Sequence, residues 1–204
     1  MELQLERVKT RRQLRRFVRI PWYIYSDDSN WVPPLISEEV ERLSRDRYPF
    51  FKHGDAEFFI LRRGNRDIGR IAAIENRMHN EFHRDRVGFF GFFECVDDSE
   101  AAKILLEAAA DWLRKRNLNY MRGPMNYSTN DECGLLIEGF EHPPMVMMTY
   151  AKPYYRALLE GWGLELEKRL LAYYISEELV EGVERMERFF SVIKEKHGVE
   201  LRSI

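Results

Sequence analysis

The stretch VGFFGFFECV, residues 87–96, constrains this chain more than any other. It is apolar at both odd and even positions, as a strand in the middle of a sheet covered on both faces would be. Its single charge is Glu94, and Gly91 interrupts it between two pairs of phenylalanines. A glycine inside a strand signals either a bulge or relief of crowding, here among Phe89, Phe90, Phe92 and Phe93.

The flanking segments supply the rest of a mixed α/β domain. Residues 2–8 read as a short strand. Residues 11–25 read as a helix with Leu14, Phe17, Val18 and Pro21 on one side and Arg11, Arg12, Arg15, Arg16 and Arg19 on the other. A solvated face is preferred for these arginines over a phosphate-binding one, because charge on the outer face is the ordinary helical pattern. ISEEVERLSRD predicts a short helix. Residues 57–61 and 67–74 predict a hairpin turning at Arg63-Gly64-Asn65-Arg66. Residues 100–116 place Ala101, Ile104, Leu105, Ala108, Trp112 and Leu113 on one stripe, with Asp97, Asp98 and Ser99 available as caps. A strand near 118–122, a helix over 153–162 stopped by Gly163, a strand over 166–175 and a last helix from Ser176 complete the pattern. GVELRSI at the end has the look of another strand.

Lys and Arg total 32 and Asp and Glu 34, so no global field favours nucleic acid. The start has no apolar leader, and no run nears the roughly 18 apolar residues of a spanning helix. A cytoplasmic protein without a transmembrane segment is expected. The two cysteines are too few for a disulfide framework. Cys95 reads as a buried thiol, and Cys133 has no nearby His to activate it. His79 and His83 are four apart, but their context suggests a strand end or turn and no metal is expected there.

PYYRALLEGWGLELEKRLLAYYI, with its helix closing on glycine before a strand, and the overall element order over residues 1–175 resemble the GNAT superfamily of acyl-CoA-dependent N-acyltransferases. FVRIPWYIYSDDSNWVPPL, GFFGFFECVDD and RGPMNYSTNDECGLLIEGF are similar to a little-characterised bacterial GNAT-like family in which a second, similar domain often follows. The resemblance implies a mostly antiparallel central sheet flanked by helices. It also implies amide formation, with an amine attacking an acyl thioester donated by acetyl-CoA or a longer acyl-CoA. A bulge beside Gly91, with Phe92 and Phe93, would present a backbone N–H to the donor carbonyl. Glu94 would take the proton of an ammonium whose pKa is near ~10; its alternative is a strand-end carboxylate reaching solvent.

One part of the family pattern is missing. Where the glycine loop that holds the coenzyme A pyrophosphate should stand, the chain reads ECVDDSEAAKILL, with carboxylates at Asp97, Asp98 and Glu100. The family's tyrosine acid aligns with Leu159, and the role is not transferred to Tyr154 or Tyr155. Downstream, Arg122, Asn126, Ser128, Thr129 and Asn130 are the candidates for binding a small or lipid-like amine, with Asp131 or Glu132 holding its charge. The alternative is a polar turn that satisfies itself. PPMVMMTY is expected in the core rather than as an acyl wall.

Two functions follow: an N-acyltransferase over residues 1–175, or a catalytically degenerate domain serving as a dimerisation or ligand-binding module. Residues 176–204 either dock on the domain, pair with a second copy as a homodimer, or lead into a second domain.

Overall fold

The computed structural model describes residues 2–174 and 183–198. They form two compact units, residues 1–166 and 167–204. In the first, β1 (Leu3–Arg7) precedes α1 (Arg11–Ile24), whose start is fixed by a capping box. Thr10 Oγ1 accepts from the Gln13 amide, and Gln13 Oε1 accepts from the Thr10 amide. The short α2 (Ile36–Arg42) and a 3-10 turn (Pro49–Lys52) lead into the hairpin of β2 (Gly54–Arg63) and β3 (Arg66–Asn76). Gly64, with φ of 59°, takes the left-handed conformation that this turn requires.

α3 (Arg77–His83) follows directly, where a strand end or turn was expected. Asn76 caps it by accepting from the His79 amide, a short-range signal outweighed in the sequence by the neighbouring strand. β4 (Val87–Cys95), α4 (Ser99–Arg114), β5 (Tyr120–Arg122) and α5 (Tyr155–Trp162) complete the unit, and Gly163 ends α5 with φ of 109°. The sheet order is β1-β2-β3-β4-β5. Every pairing is antiparallel except β4 with β5.

The two faces of the sheet carry separate apolar clusters. One lies under α4 and α5 and contains Phe90, Phe93, Leu105, Trp112 and Tyr155. The other lies under α1 and contains Phe17, Phe58, Phe89, Phe92 and Tyr127. Each fully buried Phe or Leu contributes about 1.5–3 kcal/mol. β4 feeds both clusters, as its doubly apolar sequence demands. Cys95 is wholly buried on the α4 side, and burial pushes its thiol up to about 12.

Two expectations fail. Residues 166–174 form no strand, and Leu166, Leu170, Leu171, Tyr173 and Tyr174 are exposed. No strand among the described residues forms a backbone ladder with this segment, and a strand without a ladder has little to hold it. The Met-rich run is not core: Met145, Val146, Met147 and Met148 are all exposed, on an irregular loop whose Pro143 and Pro144 block regular pairing. In the second unit α6 (Val183–His197) lies within the expected last helix, with Phe189, Phe190 and Val192 exposed. Leu179 and the GVELRSI strand beyond Gly198 lie outside the described residues. No helix among the described residues is long and apolar enough to cross a membrane.

Candidate active site

The site is created by a bulge in β4. Arg70 of β3 faces Glu94, and Ala72 faces Gly91, so one β3 residue is opposed by both Phe92 and Phe93. The bulge lies one residue beyond Gly91, and Phe92 carries its strain with φ of 49°. Strict alternation would put Glu94 on the face of Phe90, beneath α4. The extra residue reverses that. Phe92 joins Phe89 on the α1 side, and Glu94 follows it there, opposite Arg70.

Gly91 flanks the bulge as expected and has a second job as well. β4 and β5 pair only from Val87 with Tyr120 to Phe89 with Arg122. Past that point the chain turns across β4, with the Met125 amide donating to the Phe90 carbonyl at 2.8 Å. A Cβ on Gly91 would collide with the Met125 carbonyl and stand 2.9 Å from Asn126 Oδ1. Only glycine lets the loop pass. Asn126 Oδ1 then accepts from the Phe92 amide at 2.7 Å, so the bulge N–H has a partner within the chain.

Glu94 lines a cavity of about 200 Å³ with Arg70, Phe92, Asn126, Glu132 and Tyr155. Its side chain is 12% exposed. Burial pushes the carboxyl up, opposed by the Arg70 guanidinium at 3.6 Å and by the Tyr155 hydroxyl, which donates to Oε2 at 2.6 Å. The Tyr155 hydroxyl itself accepts from the Cys95 amide at 3.1 Å. Arg70 donates to the Phe17 carbonyl at 3.1 Å, while its Nε and the buried Tyr25 hydroxyl have no hydrogen-bond partner among the described residues. The result is a desolvated carboxylate between one cation and neutral phenols, a setting that raises its proton affinity above that of a carboxylate in water.

The polar loop is organised by Arg42. Its guanidinium meets Glu132, Asp131 at 3.3 Å and Glu39 at 3.5 Å, and lies 5.3 Å from the centre of the Phe92 ring. Burial pushes Glu132 up, but its bonds to Arg42 and Asn126 outweigh that and hold it below the usual range. Asp131 accepts from Tyr48 at 3.1 Å and Ser128 at 2.6 Å besides Arg42. Only Asn126 and Glu132 of the six candidates from 126 to 132 reach the cavity; Thr129 and Asn130 are exposed. Arg122, 3.9 Å from Asp85, is on β5 outside the cavity lining.

At the start of α4, Asp98 accepts from the Glu100 and Ala101 amides at 2.9 and 3.1 Å and is bound by Arg63. The N–H groups that hold phosphates elsewhere are therefore capped by this chain's own carboxylate. The residues present do not fit a pyrophosphate here. His79 and His83 do share a helix face, rings 4.3 Å apart, but no group of three metal-ligand side chains occurs among the described residues.

The sequence does not single out Arg42, Arg70, or the hydroxyls of Tyr25 and Tyr155. The lone arginine within IGRIAAI is the one available signal, a charge where a strand is otherwise apolar.

No family model matches the chain. It is 37% identical over 177 residues, 86% of its own length and 46% of the other protein, to the bacterial ceramide synthase of Caulobacter vibrioides. The chain spans less than half the length of the curated relatives it matches. It superimposes with a TM-score of 0.52 on an aminoglycoside acetyltransferase from an uncultured soil metagenomic sample, solved with trehalose, covering 85% of this chain and 95% of that one at 10% identity. A predicted acetyltransferase from Clostridium acetobutylicum, solved with acetyl-CoA, gives 0.51, with 85% and 96% covered at 10% identity. With its bulged β4, its parallel β4–β5 pair and these structural neighbours, the chain has the fold of the GNAT acyltransferases.

Proposed function

We propose that this chain is an N-acyltransferase moving an acyl group from a thioester to a small or lipid-like amine. The nitrogen forms a bond to the acyl carbon, the carbon–sulfur bond breaks, and the proton leaving nitrogen passes to Glu94 and finally to the departing thiolate. The observation that carries this reading is the buried carboxylate of Glu94, turned by the bulge into a cavity and held by Arg70 and Tyr155. Asn126 and Glu132 supply further polar groups on the cavity lining, where the amine would be oriented. A ceramide is the amide of a long-chain amine, so the name of the Caulobacter relative agrees in chemistry with an acceptor of this class. Fold likeness supports an acyl-CoA donor. The capped start of α4 opposes a grip on its phosphates, so no step is routed through them.

The capped helix favours a second reading, a domain that has lost its donor site and binds ligands without chemistry. The test is calorimetric titration with acetyl-CoA and a long-chain acyl-CoA, followed by thiol release in the presence of a long-chain amine. Thiol release abolished by Glu94→Gln supports the transferase. Neither binding nor release, in a folded protein, would establish the second reading.

A further inference from the structure

We propose that the face around the cavity mouth docks on the surface of an anionic lipid bilayer. The mouth is built by two irregular loops, one contributing Trp31, Val32 and Pro34, the other Pro144 and Met148. Their outer residues point away from any core: Val32, Leu35, Met145 and Met147 are mostly exposed, and Val146 is 93% exposed. Adjacent apolar side chains of this size at the entrance to a polar site mark an interaction surface.

The surface continues without a break into a basic helix face. Trp31 packs edge-on against Trp22 at 5.2 Å. Trp22 in turn lines a hollow with Tyr23, Ile36 and Arg19, and Leu35 precedes Ile36. From Arg19 the exposed cations run back along α1 through Arg15, Arg12 and Arg11, none of them in an ion pair among the described residues, on a helix without a single acidic residue. Arg16 alone is paired, to Glu6 and Asp67. Lys152 lies 3.0 and 3.4 Å from Asp27 and Asp28, close to the mouth, and offsets one of their two charges, against four exposed arginines on α1.

Charge and shape together select the occupant. Unpaired arginines beside tryptophan and then bare aliphatic loop tips match, in order, the phosphates, the headgroup boundary and the acyl region of a leaflet. A two-fold contact through the same surface would set these arginines against their own copies. Proline-bearing loops also lack the flat edge or regular face on which a strand or helix pairs. Docking in this way would open the cavity of Glu94 toward the layer in which long-chain amines and acyl chains reside. That consequence rests on the acyltransferase reading; the surface itself does not.

Flotation of the protein with vesicles of phosphatidylcholine alone, and with added phosphatidylglycerol, tests it. The protein is expected to float with the anionic vesicles and to be released by salt. The loop variant Val146→Asp/Met147→Asp and the helix variant Arg12→Ser/Arg15→Ser/Arg19→Ser should each lower binding by at least about tenfold. Both sets of side chains are exposed, and circular dichroism checks that the variants fold. Equal flotation on neutral and anionic vesicles, no flotation, or a loop variant that floats like the parent would overturn the proposal. So would a lipid-free dimer that the loop variant dissolves, since the occupant would then be a second copy. Turnover of a short soluble thioester and amine separates the two proposals: retained turnover without flotation removes only docking, and flotation without turnover removes only the acyltransferase.

Discussion

The Phe92 amide donates to Asn126 Oδ1 at 2.7 Å. In a bulged strand this N–H is the natural donor to a developing oxyanion. Under the proposed acyltransferase reading, the carboxamide oxygen of Asn126 stands where an acyl carbonyl oxygen would accept, and the side chain is tied on its other end to Glu132 through Nδ2 at 3.2 Å. Substrate carbonyl and Asn126 cannot both accept from Phe92 along one line.

Asn126→Ala should leave the bulge amide without a partner and cost about 1–3 kcal/mol. Binding of an acyl thioester should restore part of that loss, visible as a larger ligand-induced rise in Tm than in the parent. Asn126→Asp keeps an acceptor for Phe92 but turns an anionic oxygen toward Glu132. It should be destabilised at neutral pH and regain stability on acidification, as melting at two pH values would show.

Glu94→Gln should lower turnover by about 10²–10⁴-fold while substrate binding persists. The pH profile carries the sign. Burial raises the Glu94 pKa, so the base form appears only as pH rises through a value above the ordinary carboxylate range, and rate climbs across that window. In the glutamine variant the climb disappears. A profile unchanged by the substitution would remove Glu94 from the chemistry.

Gly91→Ala tests the crossing of the loop over β4. Its Cβ meets the Met125 carbonyl, a backbone atom that moves only with the whole loop. The cost should be at least about 2 kcal/mol, or roughly 4–8 °C in Tm at this chain length. Loss of activity should accompany it, because Asn126 shifts with Met125.

The architecture was largely legible because it rests on local patterns. The doubly apolar β4, the Gly-Asn turn and the stripe of α4 each declare their element within a dozen residues. The bulge falls beside Gly91, where the glycine advertises it, while the left-handed conformation of Phe92 has no signal of its own in the sequence. Glu94 could be found as the single charge on its strand. Its partners could not: Arg70 and Tyr155 are separated from it by 24 and 61 positions and meet it only through the sheet and α5. The Met-rich run was misjudged because apolar composition predicts burial, and nothing in a sequence shows that no second layer covers a loop.

Glu132→Gln probes the Arg42 hub. The folded pKa of Glu132 is depressed, so its stabilising contribution is complete above the unfolded value, about 4.3, and is lost as pH falls through the folded value. The variant should therefore melt below the parent at pH 7, and the gap should close on acidification. A gap independent of pH would mean that Glu132 acts by packing alone.

Asp98 decides how a donor can be held. Asp98→Ala removes a cap and the partner of Arg63, at a cost of about 1 kcal/mol. It also uncovers the Glu100 and Ala101 amides and deletes a negative charge at the positive end of α4. Coenzyme A should then bind a few-fold more tightly than to the parent, the size expected of a charge at a helix terminus. Calorimetry on the two proteins measures it. The depressed Asp98 carboxyl, held mainly by Arg63, stays ionised through the neutral range, so the difference should persist from pH 6 to pH 8. Equal affinities would show that the phosphates, wherever they bind, avoid this helix.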